Sequence, residues 1–247
     1  MNKTTINWCD YSWNPITGCT KIAQGCKFCY AEGIAKRFWG NRKFTDVRFH
    51  PERLSDPKLR SEKPLRIFVN SMSDLFHESL SFEIIEQVYD VIFDQLINYP
   101  QHTFLILTKR IERASGFYDW MHKRNRSTNW DNLHLCYSVS TQKDLEKINY
   151  LFMTDARVRG LSIEPQLEYI FDIPKVDWLI IGCESGRKRR PFYNSWARGI
   201  IDRNPNTPIW IKQIRDEKNN VIDDVNLFPK ELQLRQLPHK FTLETKN

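Results

Sequence analysis

No run of eighteen apolar residues occurs in the 247-residue chain, so no transmembrane helix is expected. The N-terminal stretch MNKTTINWCDYSWN lacks an apolar core of the secretory type, which predicts no signal peptide and a cytoplasmic location. No Gly/Ser- or Pro-rich linker and no low-complexity tract divides the sequence. With 40% hydrophobic content it can build one sizeable core. Neither G-x-G-x-x-G after a strand nor G-x-x-x-x-G-K-[ST] is present, which leaves dinucleotide-binding and P-loop readings without support. Cysteine is sparse too: six thiols are too few for a disulfide scaffold, and in a reducing compartment clustered thiols bind metal or do redox chemistry.

Three of those six are clustered. GCTKIAQGCKFCYAE (18–32) places Cys19, Cys26 and Cys29 at C-x6-C-x2-C spacing. Zinc would need a fourth ligand, with Cys9, His50 and His77 as the nearest candidates, and zinc ribbons carry two C-x-x-C pairs where this chain has one. A [4Fe–4S] cluster can be held by three thiolates, leaving one iron open for a substrate or cofactor. Gly18 and Gly25 each precede a cysteine and ease a tight wrap, and YAEGIAKRFW reads as the helix that follows. Cys136 and Cys183 sit in apolar stretches and read as small buried hydrophobes.

The net charge is +7, with basic runs at HKRNR (122–126) and GRKRR (186–190). Such runs bind nucleic acid, hold an anionic small molecule or form a solvated face.

Short apolar runs alternate with amphipathic stretches. RIFVN (66–70) precedes 81–98, where Ile84, Ile85, Val88, Val91, Ile92 and Leu96 fall at helical spacing. TFLILT (103–108), LHLCYSVS (133–140), RGLSIEP (159–165), DWLIIGCE (177–184) and PIWIKQ (208–213) are the other strand candidates; QLEYIF (166–171) and FYNSWARGIIDRN (192–204) follow two of them. The pattern predicts an α/β fold with a parallel sheet, as a full or partial (β/α) barrel or as an open doubly wound sheet. Polar residues gather at the strand C-termini: Ser71, Ser73 and Asp74, then Lys109, Ser140 and Thr141, Glu164, Glu184, and Lys212 with Gln213. In a parallel barrel the site lies at that face, although Ser73, Asp74, Ser140 and Thr141 are also good helix caps. Charges that end apolar strands must be paired or functional.

CKFC, with an aromatic before the last cysteine, resembles the second half of the radical S-adenosylmethionine (SAM) motif, with a first gap of six residues where three are usual. WNPITGCTKIAQGCKFCYAE, VNSMSDLFH, ILTKR, LSIEP, IIGCESG and IWIKQ together resemble the phage-type three-cysteine-motif family, a non-standard radical SAM group, from about Thr5 to Gln213. The resemblance implies one radical-SAM-like domain over 1–247: a cluster loop at 18–30, a TIM-type barrel over about 60–213 and a C-terminal extension at 214–247. It implies Cys19, Cys26 and Cys29 as [4Fe–4S] ligands and SAM on the open iron, split on reduction to a 5′-deoxyadenosyl radical. Asn70, Ser71, Ser73, Asp74, Lys109, Ser138 and Ser140 would contact SAM; the usual Gly-Gly-Glu is absent at 70–74. One subgroup, the queuine lyases, releases 7-aminomethyl-7-deazaguanine from queuine for queuosine salvage. For such a base Glu164 and Glu184 would accept its amidine edge, Lys212 and Gln213 would donate to its carbonyl, and Trp13 and Asn14 would flank the ring. A reductant such as flavodoxin or ferredoxin is implied. A related enzyme acting on a base in tRNA or DNA, or a non-enzymatic metal module using Cys9 as fourth ligand, are the competing readings.

Overall fold

The computed structural model describes residues 1–185 and 189–238. Eleven strands occur among them: β1 Asn2–Lys3, β2 Tyr11–Trp13, β3 Ile16–Thr17, β4 Arg48–Phe49, β5 Arg66–Val69, β6 Thr103–Thr108, β7 Leu133–Val139, β8 Val158–Ile163, β9 Trp178–Gly182, β10 Ile209–Arg215 and β11 Val221–Ile222. The α-helices are α1 Tyr30–Phe38, α2 Phe82–Asn98, α3 Ile111–Lys123, α4 Ile148–Phe152 and α5 Asn194–Arg203.

Nine strands form one sheet in the order β1-β2-β5-β6-β7-β8-β9-β10-β11, and β3 pairs with β4 alone. All neighbours from β2 to β10 are parallel; β1 and β11 are antiparallel additions at the two margins. The fold is therefore α/β with a mostly parallel sheet, as the alternation predicts, and the N-terminal segment supplies the seventh parallel strand. Each crossover advances one place in the same direction, which keeps right-handed crossover helices on one face. A doubly wound order would reverse midway, and this one does not.

Side-chain phase separates the two faces. Ile67, Val69, Phe104, Ile106, Leu135, Leu161, Leu179 and Ile211 face the helices and join the main core with Ile85, Val88, Phe117 and Ile200. The alternate residues Phe68, Leu105, Cys136, Trp178, Ile180 and Trp210 pack with Trp8 and Cys9 into a second cluster on the helix-free face. Ser81 caps α2, its hydroxyl accepting from Ile84 N at 3.4 Å.

A closed ladder, one of the two barrel forms expected, is absent among the described residues. The outer edges of β2 and β10 are occupied by β1 and β11. Asn7 links the margins instead: its Nδ2 donates to Lys212 O at 2.9 Å and its Oδ1 accepts from Trp210 Nε1 at 2.8 Å. QLEYIF forms no helix, because Gln166 N donates to Gly182 O (2.9 Å) and Leu167 N to Ser140 O (3.0 Å), drawing the chain across the ends of β7 and β9. The extension begun at 214 is integral as far as it is described. β10 runs to Arg215, Phe228 and Leu232 are buried, and Leu234 O accepts from Ile211 N at 2.8 Å. Residues 239–247 lie outside the described residues.

Candidate active site

A cavity opens at the C-terminal ends of the parallel strands, on the face of the sheet opposite the main core, with about 1040 Å³ of empty space including the solvent at its mouth. Trp8, Phe68 and Leu107 give it an apolar floor, and Cys19, Cys26 and Cys29 all line it. The cysteine loop is fastened at several points. Gly18, at φ +95, donates from N to Met72 O (3.0 Å) and bridges to Ser73; an added Cβ would lie 2.5 Å from Asp46 O, so only glycine fits. Cys19 N donates to Phe44 O at 2.9 Å. Cys26 ends a 3-10 turn (Gln24–Cys26), and Cys29 precedes the first residue of α1. Gly25 lies so close to the end of β7 that a Cβ there would overlap Ser140 Oγ.

A buried charge network backs the loop. Asp74 Oδ1 accepts from Thr108 Oγ1 (2.8 Å) and Phe76 N (3.1 Å); Oδ2 accepts from Lys109 N (3.0 Å) and Arg110 Nη1 (3.3 Å). Arg110 also binds both oxygens of Glu78 through Nε at 2.8 Å, donates to Thr20 O and Oγ1, and reaches Cys19 Sγ from Nη1 at 3.5 Å. Burial pushes the Cys19 thiol up to about 12; Asp74 adds to this and Arg110 opposes it. Burial works against the Arg110 charge, yet Asp74, Cys19 and Glu78 hold its pKa above the ordinary value. A metal binding Cys19 must therefore displace its proton, and Arg110 stands ready to balance the resulting sulfur charge.

The six cysteines are all free. Among the described residues no three His, Cys, Asp or Glu side chains stand close enough together to hold a metal as placed. The donor set fits an iron–sulfur group in type and number, with three soft sulfurs on one cavity and an arginine at one of them. Gathering the sulfurs requires side-chain or loop movement. A further sign of a ligand is Asn70, which lines the cavity, sits at φ +64 and is 2% exposed. Its Oδ1 accepts from Ile16 N at 3.2 Å, but its buried Nδ2 has no hydrogen-bond partner. An unmet buried donor costs about 1–3 kcal/mol, which a bound acceptor would recover.

A family model described as "Protein of unknown function (DUF5131)" matches residues 3–230, the span that holds every group named above. The chain belongs to the DUF5131 family. No curated protein and no solved structure matches it. The family's description assigns no activity, so the site in this DUF5131 chain rests on its own chemistry.

Of the residues expected to contact SAM, Asn70, Ser71, Ser73, Asp74, Lys109 and Ser138 line the cavity. Ser140 does not, being fully buried beneath Gly25. Asp74 is a less open ligand than its position suggests, since four donors already occupy its oxygens. Ser71 and Ser73 are tied to the N-terminal segment: Ser73 Oγ donates to Ile16 O, and Ser71 Oγ meets the Asn14 amide. Lys109 Nζ reaches across to Ser138 Oγ and, at 3.5 Å, to Glu164 O.

Of the expected substrate contacts, Glu164, Glu184 and Lys212 line the cavity, and Trp13, Asn14 and Gln213 do not. Trp13 is fully buried in the main core, its Nε1 donating to Arg53 O at 2.8 Å. Asn14 shapes the turn after β5 by accepting from Met72 N. Gln213 donates to Cys183 O (2.7 Å) and Ser185 Oγ (2.9 Å). Glu164 pairs with Lys212 at 3.0 Å, and Gly182 leaves the space for it.

Arg190, marked in the sequence only as part of the basic run 186–190, has a role at the site that the sequence reading did not assign. It donates to Glu184 from Nη2 (2.5 Å), Nε (3.2 Å) and N (3.0 Å), donates from Nη1 to Gln24 O in the cysteine loop (2.9 Å), and lies over the Phe28 ring. It thus straps Glu184 to the loop. Residues 186–188 of its run lie outside the described residues. The 122–126 run is accounted for by ion pairs: Arg126 with Glu86 and Asp90, Arg124 with Glu86, and Lys123 with Asp119. Cys9 is buried in the second cluster and does not line the cavity that Cys19, Cys26 and Cys29 share. That weighs against a four-cysteine site. No described helix is long and apolar enough to cross a membrane.

Proposed function

We propose that this DUF5131 chain is a radical SAM enzyme built on a partial (β/α) barrel, acting in the cytoplasm on a small modified base, and that the base is queuine. The observation that carries the reading is the meeting of three free thiols, on one tightly fastened loop, with the strand-end polar residues around a single cavity. Cys19, Cys26 and Cys29 would hold the iron–sulfur group. When bound, that group would supply the electron that splits SAM and so provide a hydrogen-abstracting radical.

The chain's own residues orient and shield. Asn70 Nδ2 is a buried donor without a partner and suits the SAM carboxylate. Lys109, held by Ser138, adds a positive charge on the same wall. Arg110 offsets negative charge at the Cys19 sulfur. The Glu164–Lys212 pair offers an acceptor and a donor side by side, the pattern needed by the amidine edge and carbonyl of a deazaguanine. Trp8, Phe68 and Leu107 keep the floor apolar and exclude water.

The test is anaerobic turnover of iron-loaded protein with SAM, a reductant and queuine, with the products read by mass spectrometry. The reading predicts 7-aminomethyl-7-deazaguanine from the wild type; Glu164→Gln should still form 5′-deoxyadenosine but release little of the base. Release of the base at the wild-type rate by Glu164→Gln would remove that anchor. 5′-Deoxyadenosine without base release would keep the radical chemistry and move the substrate to nucleic acid.

A further inference from the structure

Positive charge is concentrated around the cysteines. Residues 18–48 carry seven Lys and Arg against Glu32 and Asp46, a net +5 out of +7 for the chain. Glu32 is held by Lys21 (2.8 Å) and Lys36 (3.0 Å). Lys27, Arg37 and Lys43 are exposed and have no carboxylate partner among the described residues.

The same segment exposes apolar surface. α1 buries Ala31 and Ala35 and turns Tyr30, Ile34 and Phe38 outward, spaced by four residues along one stripe. Ile34 is 41% and Phe38 69% exposed, and Ile22 in the loop is 48% exposed. Four of the nine large apolar residues exposed in the described chain fall within residues 18–48, while the others are scattered. A concentrated apolar stripe with a charged rim is the composition of a docking surface. It adjoins the thiols, for Cys29, Tyr30 and Ala31 all line the cavity.

The chemistry of the stripe favours a protein over a nucleic acid. Ile22 and Ile34 offer no ring for a base to stack on. The Phe38 ring already carries the Arg37 guanidinium at 5.2 Å, and the Tyr30 hydroxyl is tied to Ser71 O at 2.8 Å. The basic rim selects an acidic partner. We propose that the outward stripe of α1 and its rim dock a small acidic one-electron carrier protein. This rests on the reading of the loop as an iron–sulfur site, which must be reduced from outside. With that group bound, one electron would pass to it from the carrier's flavin hydroquinone, which would be left as the semiquinone; no bond would form or break.

The test uses reconstituted holoprotein mixed anaerobically with flavodoxin hydroquinone, with flavin oxidation followed by stopped flow at low and high salt. Arg37→Glu combined with Lys43→Glu should slow electron transfer by about tenfold or more and flatten its salt dependence. Phe38→Ser should slow it while leaving the salt dependence intact. Photoreduced deazaflavin, which needs no docking surface, should reduce all variants at the wild-type rate. Unchanged flavodoxin kinetics in fully loaded variants would overturn the proposal and leave the loop reading standing. Loss of tRNA binding in these variants with flavodoxin kinetics intact would overturn it in favour of a nucleic-acid surface. A chain that assembles no iron–sulfur chromophore would overturn both.

Discussion

Asp74 holds the ends of two strands together by accepting from Thr108, Lys109, Arg110 and Phe76 at once. Asp74→Ala leaves the buried Arg110 with only Glu78 as a carboxylate partner and should cost roughly 3–5 kcal/mol, read as a fall in the urea midpoint. Gly25→Ala should drive the cysteine loop off Ser140 and lower iron loading, and adding Ser140→Gly should restore much of it; iron per chain in the single and double variants checks this. That the three cysteines and the strand-end glutamates line one cavity was legible, because the cysteines cluster in sequence and the glutamates end neighbouring parallel strands. The roles of Arg110 and Arg190 were not: Arg110 stood out only within ILTKR and Arg190 only within the GRKRR run, and the groups they bind lie up to 166 residues away. Trp13, Asn14 and Gln213 misled for the opposite reason: they stand near the site in sequence while their polar atoms are spent on backbone carbonyls, backbone amides and neighbouring hydroxyls.

Among the elements, β5 to β10 were legible as apolar runs, because a strand buried on both faces has little polar alternation to disguise it. The two-residue strands β1 and β11 carry no such signal, and they are what occupies the margins of the sheet. On the helix-free face β8 contributes a glycine. A Cβ at Gly160 would lie 2.7 Å from Cys136 Sγ and 3.1 Å from Trp178 O, between neighbouring strands. Gly160→Ala should therefore destabilise by about 1–3 kcal/mol through overpacking, and pairing it with Cys136→Ala should recover part of that loss in chemical unfolding.

For the whole molecule, acid sensitivity follows from three histidines. Burial lowers the pKa of His50, His77 and His102 below the ordinary 6.5; nearby arginines add to this at His50 and His77, and at His102 the Leu59 carbonyl opposes it. Below that value the unfolded chain takes up protons that the folded chain refuses. Stability is thus full above about pH 6.5 and lost as pH falls, by up to roughly 1.4 kcal/mol per histidine per pH unit. The melting temperature should drop between pH 7.5 and 5.5, and His102→Gln should flatten the drop; a flat profile in the wild type would contradict this account. The central claim concerns what the three thiols hold, and anaerobic reconstitution tests it most directly. Iron, sulfide, zinc and reductively formed 5′-deoxyadenosine should be measured together in the wild type and in Cys26→Ala. The account predicts about four irons per chain and 5′-deoxyadenosine from SAM, both lost in Cys26→Ala. Zinc without iron, or iron and SAM cleavage that survive in Cys26→Ala, would contradict it.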